Sequence, residues 1–309
     1  MFETPVLLIV FNRPSSTRRV FEAIREVKPS KLYIAADGCR EGNKEDEAKC
    51  FITRKITENV DWPCETKRLY HDLNLGCSLG PRAAFDWFFE NEKEGIILED
   101  DCLPHPDFFC FASSMLEKYR ENKKIISING SNLGYSLSNG ESYTFSRYMN
   151  MWGWATWADR AKAIDYQLKG WKNVKKPGWF VYKHMRQNLF DTDLNWYKYW
   201  QRIFDLTAKG ENVTWWDWQW IYHQMTNKQL SIVPAVNLVS NIGFSGDATH
   251  TLNANNPAAC LPLNSISFPI VHPDKIKPDP IYEVQYVKYV WCYHKRSNLF
   301  HLFARKLKS

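Results

Sequence analysis

Three consecutive carboxylates, Glu99, Asp100 and Asp101, follow the apolar run from Gly95 to Leu98, and their residue types and spacing suit metal or phosphate chemistry. The run predicts a buried strand, and a proline-containing turn follows the acids. Adjacent carboxylates that leave water repel one another and lose hydration, so a buried cluster needs a positive partner. Hard oxygen ligands at the carboxyl end of a strand favour Mg²⁺ or Mn²⁺. A solvated acidic turn after an edge strand is the alternative.

Two further candidate binding residues also follow predicted strands. Arg13 comes after the apolar run 5–11, and Asp37 comes after the strand predicted over 31–36. Apolar residues at helical spacing between these strands predict a β-α-β unit with a parallel strand pair. Arg13 could bind a phosphate through its planar guanidinium, and Asp37 could accept hydrogen bonds from a ribose or a base. A surface ion pair and an ordinary Asp-Gly turn are the alternatives.

A glycine-containing turn over 71–80 leads into Pro81. Proline is favoured at the first helical position, so the sequence predicts a helix start at Pro81. Arg82 would then lie in the first turn, where the helix dipole and its own charge could face an anionic group. Neither a GxGxxG motif after the first strand nor a P-loop is present, so the usual dinucleotide and NTPase fingerprints are absent.

The composition predicts a globular protein of 309 residues with one large domain or two small ones. A net charge of +6 without a recognition helix, zinc finger or RNP-type strand does not indicate a nucleic-acid partner. The N-terminus lacks the basic region of a signal peptide, and no apolar run is long enough to span a bilayer. Eight scattered cysteines without CxxC spacing favour reduced thiols, so we expect a cytoplasmic protein.

The order of several motifs resembles the GT-A nucleotide-sugar glycosyltransferases, and within them the N-acetylglucosaminyltransferase I type and its bacterial relatives. The motifs are PVLLIVFNRP, the Ala-Asp-Gly strand end, IILEDD with the following PHPDFF, and the segments 147–154, 215–218 and 243–250. The ordered set is more specific than any one motif. The resemblance implies a Rossmann-like mixed α/β sheet flanked by helices, with a domain over 1–250 and an extension over 251–309.

The resemblance also implies roles for the residues at the strand ends. Asp101 resembles the ligand of the metal that holds the diphosphate. Asp100 resembles the acid that contacts the ribose, and Glu99 the acid that contacts the donor sugar. Arg13 and Asp37 match positions that bind the nucleotide, with Asp37 near the uracil.

His250 matches a histidine near the end of the GT-A fold that approaches the metal or the diphosphate. A purely structural histidine is the alternative. Together with Asp101, His250 implies Mn²⁺ or Mg²⁺ as the cofactor. Such a cation would act as a Lewis acid toward the leaving nucleoside diphosphate.

Inverting transfer needs a base for the proton of the acceptor hydroxyl. The family carries an aspartate in a Trp-Asp-Asp-Trp stretch, and this chain has one acid between Trp216 and Trp218. The resemblance therefore implies Asp217 as the base, whereas a helix cap is the alternative. Trp216, Trp218 and Trp154 could stack on the acceptor and exclude water. The alternative is that these tryptophans only form an aromatic core. For Trp154 a further alternative is a packing turn under the acceptor site.

Beyond His250 the sequence predicts an extended strap and then, from Pro280, a basic amphipathic helix. This helix is typical of a membrane-surface anchor, unless it packs its aromatic face on the domain. The resemblance implies a metal-dependent inverting glycosyltransferase that uses a UDP-sugar, with N-acetylglucosamine as the first choice. Its acceptor would be a glycan or lipid-linked glycan in bacterial surface-polysaccharide assembly, at the inner face of the cell membrane. A metal-dependent phosphohydrolase and a non-catalytic carbohydrate-binding module are the alternatives.

Overall fold

The computed structural model describes residues 2–174, 176–185, 194–210, 213–244 and 260–287. Helices cover both faces of one large mixed sheet, which confirms the predicted fold class. The predicted domain boundary at residue 250 and the basic segment beyond residue 287 lie outside the described residues, and both stay predictions. None of the helices in the described ranges combines the length and the apolar character needed to cross a membrane.

The strands are β1 (Val6–Val10), β2 (Lys31–Ala36), β3 (Glu65–Tyr70), β4 (Glu94–Glu99), β5 (Cys102–Pro104), β6 (Ile125–Asn129), β7 (Tyr143–Ser146), β8 (Trp154–Trp157), β9 (Leu230–Pro234) and β10 (Val239–Asn241). The helices are α1 (Pro14–Val27), α2 (Lys44–Glu58), α3 (Gly76–Asn91), α4 (Pro106–Tyr119), α5 (Ala158–Ala161), α6 (Pro177–Met185), α7 (Leu194–Lys209) and α8 (Trp218–Thr226). A 3₁₀ turn covers Lys169–Asn173, and residues 280–287 are helical.

The sheet topology creates a crevice between β1 and β4. The large sheet has eight strands in the order β3-β2-β1-β4-β8-β6-β9-β7, and β5 pairs separately with β10. β1 is parallel to both of its neighbours, β2 and β4. The buried residues of α1 and α3 belong to different core clusters, so these helices cover opposite faces of the sheet. The connection direction therefore reverses at β1, and the carboxyl ends of β1 and β4 border the ligand crevice of such folds.

Apolar packing on both faces of the sheet determines the central strands. Leu7 packs in one core cluster with Tyr33 and Ile97, whereas Val6 and Leu8 pack in the cluster on the opposite face. All five side chains are almost completely buried. A strand that is buried on both faces needs a continuous apolar run, which is the pattern that β1 and β4 show. The polar residues that follow these runs consequently emerge together at the crevice.

The described residues 260–287 lie against the domain. The Asp279 N–H donates to the carbonyl oxygen of Phe145 at 2.8 Å, which ties the end of the extended part to β7. In the helical part, the buried carboxylate of Glu283 pairs with Arg147, with Nη2 2.6 Å from Oε2. This part of the chain is therefore joined to the domain by a backbone hydrogen bond and a buried ion pair.

Candidate active site

A cavity of about 610 Å³ lies in the crevice. Its wall combines residues that follow β1, β2 and β3, the acid triplet, and residues of α7 and the start of α8. The wall includes eight of the residues predicted from the sequence: Arg13, Asp37, Glu99, Asp100, Asp101, Trp216, Asp217 and Trp218. The fold thus brings together side chains from distant parts of the chain.

Arg13 supplies positive charge to the acid triplet. Its Nη1 lies 2.9 Å from Asp100 Oδ1 and 2.9 Å from Asp101 Oδ2. The two carboxylate side chains are only 5 % and 10 % exposed, and Asp100 Oδ2 also accepts the Phe11 N–H at 3.0 Å. The triplet is therefore a buried, hydrogen-bonded cluster, and the solvated-turn alternative is wrong. In such a cluster the loss of one partner leaves an uncompensated charge.

One guanidinium does not balance three carboxylates. Burial raises the pKa of Glu99, and the neighbouring Asp101 and Asp100 raise it further, whereas Arg13 opposes the shift. Burial also raises the pKa of Asp100, against the effect of Arg13. A nearby positive charge would favour the ionised form of each acid, so the cluster can accept a further cation.

The donor set fits Mg²⁺ or Mn²⁺. Carboxylate oxygens are hard ligands, and Mg²⁺ is usually held by one or two carboxylates together with substrate phosphates and water. Within the described ranges, no group of three or more His, Cys, Asp or Glu side chains forms a complete protein cage. Asp101, the predicted ligand, would hold the ion together with oxygens of the substrate. His250, the other predicted ligand, lies outside the described residues.

Glycine is needed beside the acid cluster. A Cβ atom at Gly243 would lie 2.2 Å from Asp101 Oδ2, so a larger residue would displace the carboxylate. The Gly243 N–H donates to Asn241 Oδ1 at 2.8 Å, and the Ile242 N–H donates to the Asp101 carbonyl oxygen at 2.8 Å. The turn after β10 therefore holds the backbone of the acid cluster from behind.

Asp37 has no acceptor left for a ligand. Its Oδ1 accepts the N–H groups of Gly38 and Leu75 at 2.9 and 2.8 Å. Its Oδ2 accepts the Gly76 N–H at 2.9 Å and Asn74 Nδ2 at 3.0 Å. A carboxylate offers about four lone-pair sites, so these bonds use all of them. These bonds show that the side chain holds the turn that begins α3, and they give no support to the prediction that Asp37 binds a ribose or uracil.

We expect Asp37→Asn to lower the free energy of unfolding by about 2 kcal/mol, because an amide cannot accept all four hydrogen bonds and leaves backbone donors unsatisfied. Urea denaturation at neutral pH measures this loss. Asp72→Asn is the control, because Asp72 is an exposed acid in the same turn. Equal losses in both variants would show that Asp37 does not hold the turn.

Arg82 lies outside the cavity wall. α3 begins at Gly76, and Pro81 lies inside the helix. The predicted helix start at Pro81 is therefore wrong, and Arg82 is not in the first turn. Its guanidinium carbon lies 4.2 Å from the centroid of the Tyr166 ring, which is a cation–π contact. This placement gives no support to the prediction that Arg82 binds the nucleotide.

Trp154 lies beneath the cavity. It is completely buried, and its ring stacks on Trp216 with a centroid distance of 6.0 Å. It also meets the Trp220 ring edge-on at 4.8 Å. Trp216 and Trp218, by contrast, line the cavity. The prediction that Trp154 contacts the acceptor directly is therefore wrong, and the alternative of a packing turn under the site describes it.

Asp217 contributes a buried carboxylate to the cavity wall. It occupies the N-cap position of α8, but its side chain makes no capping hydrogen bond. Burial raises the pKa of Asp217 to about 6, although backbone N–H groups oppose the shift. Burial is also the main reason why the pKa values of Glu99 and the Cys77 thiol are raised, and Asp217 adds to both shifts. A carboxylate with this pKa is ionised at neutral pH and can still accept a proton.

Several residues of the wall are absent from the sequence-based set. Tyr199 and Ile203 of α7 line the cavity, and so do Arg40 and His71. Arg40 and His71 follow the carboxyl ends of β2 and β3, so strand-end position was a usable signal for them. Tyr199 and Ile203 carry no comparable signal, because they reach the cavity only through the packing of α7.

No protein-family model and no curated protein matches the chain. Solved structures resemble parts of it. TarS 1-349 of S. aureus is 10 % identical with a TM-score of 0.36, over 52 % of this chain and 50 % of that one. Mouse xyloside xylosyltransferase 1 is 9 % identical with a TM-score of 0.35, over 73 % and 82 %. HddC from Yersinia pseudotuberculosis is 8 % identical with a TM-score of 0.31, over 52 % and 78 %. Similarity at this level carries no conclusion about activity.

Proposed function

We propose that this chain is an inverting, metal-dependent glycosyltransferase of the GT-A type that uses a UDP-sugar. The proposal rests on one observation: the acid cluster and Asp217 line the same cavity at the switch point of the sheet. Nucleotides bind at this place in open α/β folds. N-acetylglucosamine is the first sugar to test, as in the N-acetylglucosaminyltransferase I type. The proposed acceptor is a glycan or lipid-linked glycan of bacterial surface-polysaccharide assembly.

The charge of the cavity wall supports a metal-bound donor. Its acids are Asp37, Glu99, Asp100, Asp101 and Asp217, and its arginines are Arg13 and Arg40. Acids outnumber arginines in this wall, so a diphosphate bound in the cavity needs additional positive charge nearby. We therefore expect the donor to bind together with a divalent cation, which Asp101 would hold and which would supply the missing positive charge. The nucleoside would lie toward the end formed by the residues after β2 and β3.

Asp217 is the proposed base in the transfer. The acceptor oxygen forms a bond to the anomeric carbon, and the acceptor proton passes to Asp217. The bond between that carbon and the phosphate oxygen breaks, and its electron pair leaves with the nucleoside diphosphate. When bound, the cation stabilises the negative charge of the leaving group. Trp216 and Trp218 limit the access of water, which keeps donor hydrolysis low.

Calorimetric titration tests the donor site directly. UDP and then a panel of UDP-sugars are titrated in Mn²⁺ and in EDTA, and we expect Mn²⁺-dependent binding with one preferred sugar. Binding of free sugars without any nucleotide binding would instead support the carbohydrate-binding module. Steady consumption of the donor at an equal rate with and without acceptor glycans would support the phosphohydrolase.

In Asp101→Asn we expect the Kd for UDP in Mn²⁺ to rise at least about tenfold, to the value measured in EDTA. The amide keeps the shape of the side chain but removes the charge that holds the cation. Asp274→Asn is the matched control, because Asp274 is exposed in the segment that crosses the domain. Metal-dependent binding that survives in Asp101→Asn would remove Asp101 from the metal site.

A further inference from the structure

Helix α6 exposes a tryptophan between two lysines. Trp179 is 61 % exposed, whereas Val181 on the other side of the helix is completely buried. Lys183 is exposed and lies one turn after Trp179, so both side chains share the outer side of α6. Lys176, immediately before the helix, is exposed as well. An indole with a cation one turn before it and another one turn after it is typical of helices that lie at the interface between water and an apolar phase.

Helix α7 continues this surface. Lys198 and Arg202 are exposed at positions i and i+4, whereas Trp200 and Phe204 are completely buried. α7 packs against α6 and against the 3₁₀ turn Lys169–Asn173. The exposed cations of the three segments therefore lie around one packed unit. We name as the basic face Trp179 together with Lys169, Lys172, Lys176, Lys183, Lys198 and Arg202.

The described acids near the basic face accept hydrogen bonds from other groups. In the described part of 162–209 they are Asp165 and Asp205. Asp165 accepts backbone N–H groups at the start of the 3₁₀ turn, and Asp205 accepts the indole N–H of Trp171 at 2.8 Å. Neither forms an ion pair with a cation of the basic face among the described residues. Among the residues that the structure describes, the face therefore carries six cations that these two acids do not neutralise, in contrast to the acidic wall of the cavity.

The basic face borders the cavity. Tyr199 and Ile203, which line the cavity, each follow directly after a cation of the face, Lys198 or Arg202. Successive residues of an α-helix are turned by about 100°, so the cavity-lining stripe of α7 lies next to its basic stripe. A partner bound to the basic face would therefore be adjacent to the end of the cavity that holds Asp217.

We propose that the basic face docks on a bilayer that contains anionic phospholipids. The lysines and Arg202 attract the headgroups, and Trp179 enters the interface between headgroups and acyl chains. Docking in this orientation places the Asp217 end of the cavity beside the membrane, where a lipid-linked acceptor would arrive. Only this last consequence rests on the proposed function, because docking itself needs neither donor nor catalysis.

Vesicle co-sedimentation of the full chain tests the docking. We expect binding to phosphatidylglycerol-containing vesicles, little binding to phosphatidylcholine vesicles, and loss of binding at about 0.5 M NaCl. Lys198→Glu combined with Arg202→Glu should lower the partition coefficient at least about thirtyfold. Lys124→Glu combined with Lys228→Glu makes the same charge change on exposed residues that precede β6 and β9, and it should have a much smaller effect.

Trp179→Phe gives a second readout that does not change the charge. Vesicles with bromine-labelled acyl chains should quench the tryptophan fluorescence of the unmodified chain more than that of this variant.

Equal loss of binding in both charge-reversal pairs, or none in either, would overturn the proposal, since binding would then arise from overall charge or from another segment. Equal affinity for soluble polyphosphate and unchanged quenching in Trp179→Phe would overturn it in favour of a polyanionic partner. UDP binding should be the same in all these variants, which separates this test from that of the donor site.

Discussion

Asp217→Asn is expected to lower kcat/KM for sugar transfer by about 10³-fold and to leave the Kd for the UDP-sugar nearly unchanged. The amide has the same shape as the carboxylate but cannot accept the proton of the acceptor hydroxyl. Asparagine is as favourable as aspartate at the N-cap position, so the replacement should not disturb the start of α8. Donor binding by calorimetry and initial rates with saturating acceptor measure the two effects separately.

The pH dependence provides an independent check on the same residue. Burial raises the pKa of Asp217 to about 6. A base must be deprotonated to act, so kcat/KM of the unmodified chain should rise as the pH increases through about 6 and then level off. The residual rate of Asp217→Asn should lack this rise. A profile with the same acidic limb in both proteins would assign the limb to another group.

Asp86→Asn is the matched control for this variant. Partial desolvation also raises the pKa of Asp86, although this side chain is exposed, and it lies outside the cavity wall. The control should transfer sugar at nearly the normal rate. Full activity of Asp217→Asn, or an equal loss of activity in Asp86→Asn, would end the candidacy of Asp217 as the base.

The central strands and the acid cluster could be predicted because each is encoded in a short continuous stretch. β1 and β4 are apolar runs that end in polar residues, and strands of this kind are buried on both faces of a parallel sheet. Their parallel pairing places those polar ends at one edge of the sheet. The crevice that contains Arg13 and Asp101 therefore follows from the local pattern and the strand order.

The roles of Asp37 and Arg82 could not be predicted from the local sequence, because they depend on contacts between distant segments. Asp37 receives hydrogen bonds from Leu75 and Gly76, which lie far from it along the chain. An aspartate at a strand end looks the same in sequence whether its oxygens face a ligand or such backbone donors. The same interaction allows α3 to begin at Gly76, before Pro81. Arg82 therefore lies in the second turn of the helix and not in the first turn, where the sequence predicted it.

The wall beyond the acid cluster depends on tertiary packing of aromatic residues. Trp154, Trp216 and Trp218 all lie in tryptophan-rich stretches of the sequence, and the residue type alone does not show which of them reach the cavity. Only the position of β8 below α8 decides that Trp154 is completely buried while the other two line the cavity. The contribution of α7 depends in the same way on how that helix packs.

Arg13→Ala is expected to lower the free energy of unfolding by about 3 kcal/mol in metal-free buffer at neutral pH. The substitution removes the guanidinium that lies 2.9 Å from both Asp100 and Asp101 and leaves their buried carboxylates without this cation. Denaturant titration of the ligand-free protein measures the loss. Arg120→Ala is the control, because Arg120 pairs with Glu94 and Glu117 at the surface and should contribute much less.

The cation preference of the cluster can be tested in the same variant. Mn²⁺ should restore part of the stability lost in Arg13→Ala, because a cation bound to the acids replaces some of the missing positive charge and stabilises the folded state by mass action. The ion should stabilise Arg120→Ala less, because Arg13 still neutralises part of the acid cluster in that variant. Equal destabilisation in the two variants would show that Arg13 is an ordinary surface ion pair. A large loss that Mn²⁺ does not reduce would keep Arg13 as the counterion of the acids and argue against metal binding by the acids alone. Metal binding would then require the phosphates of the donor.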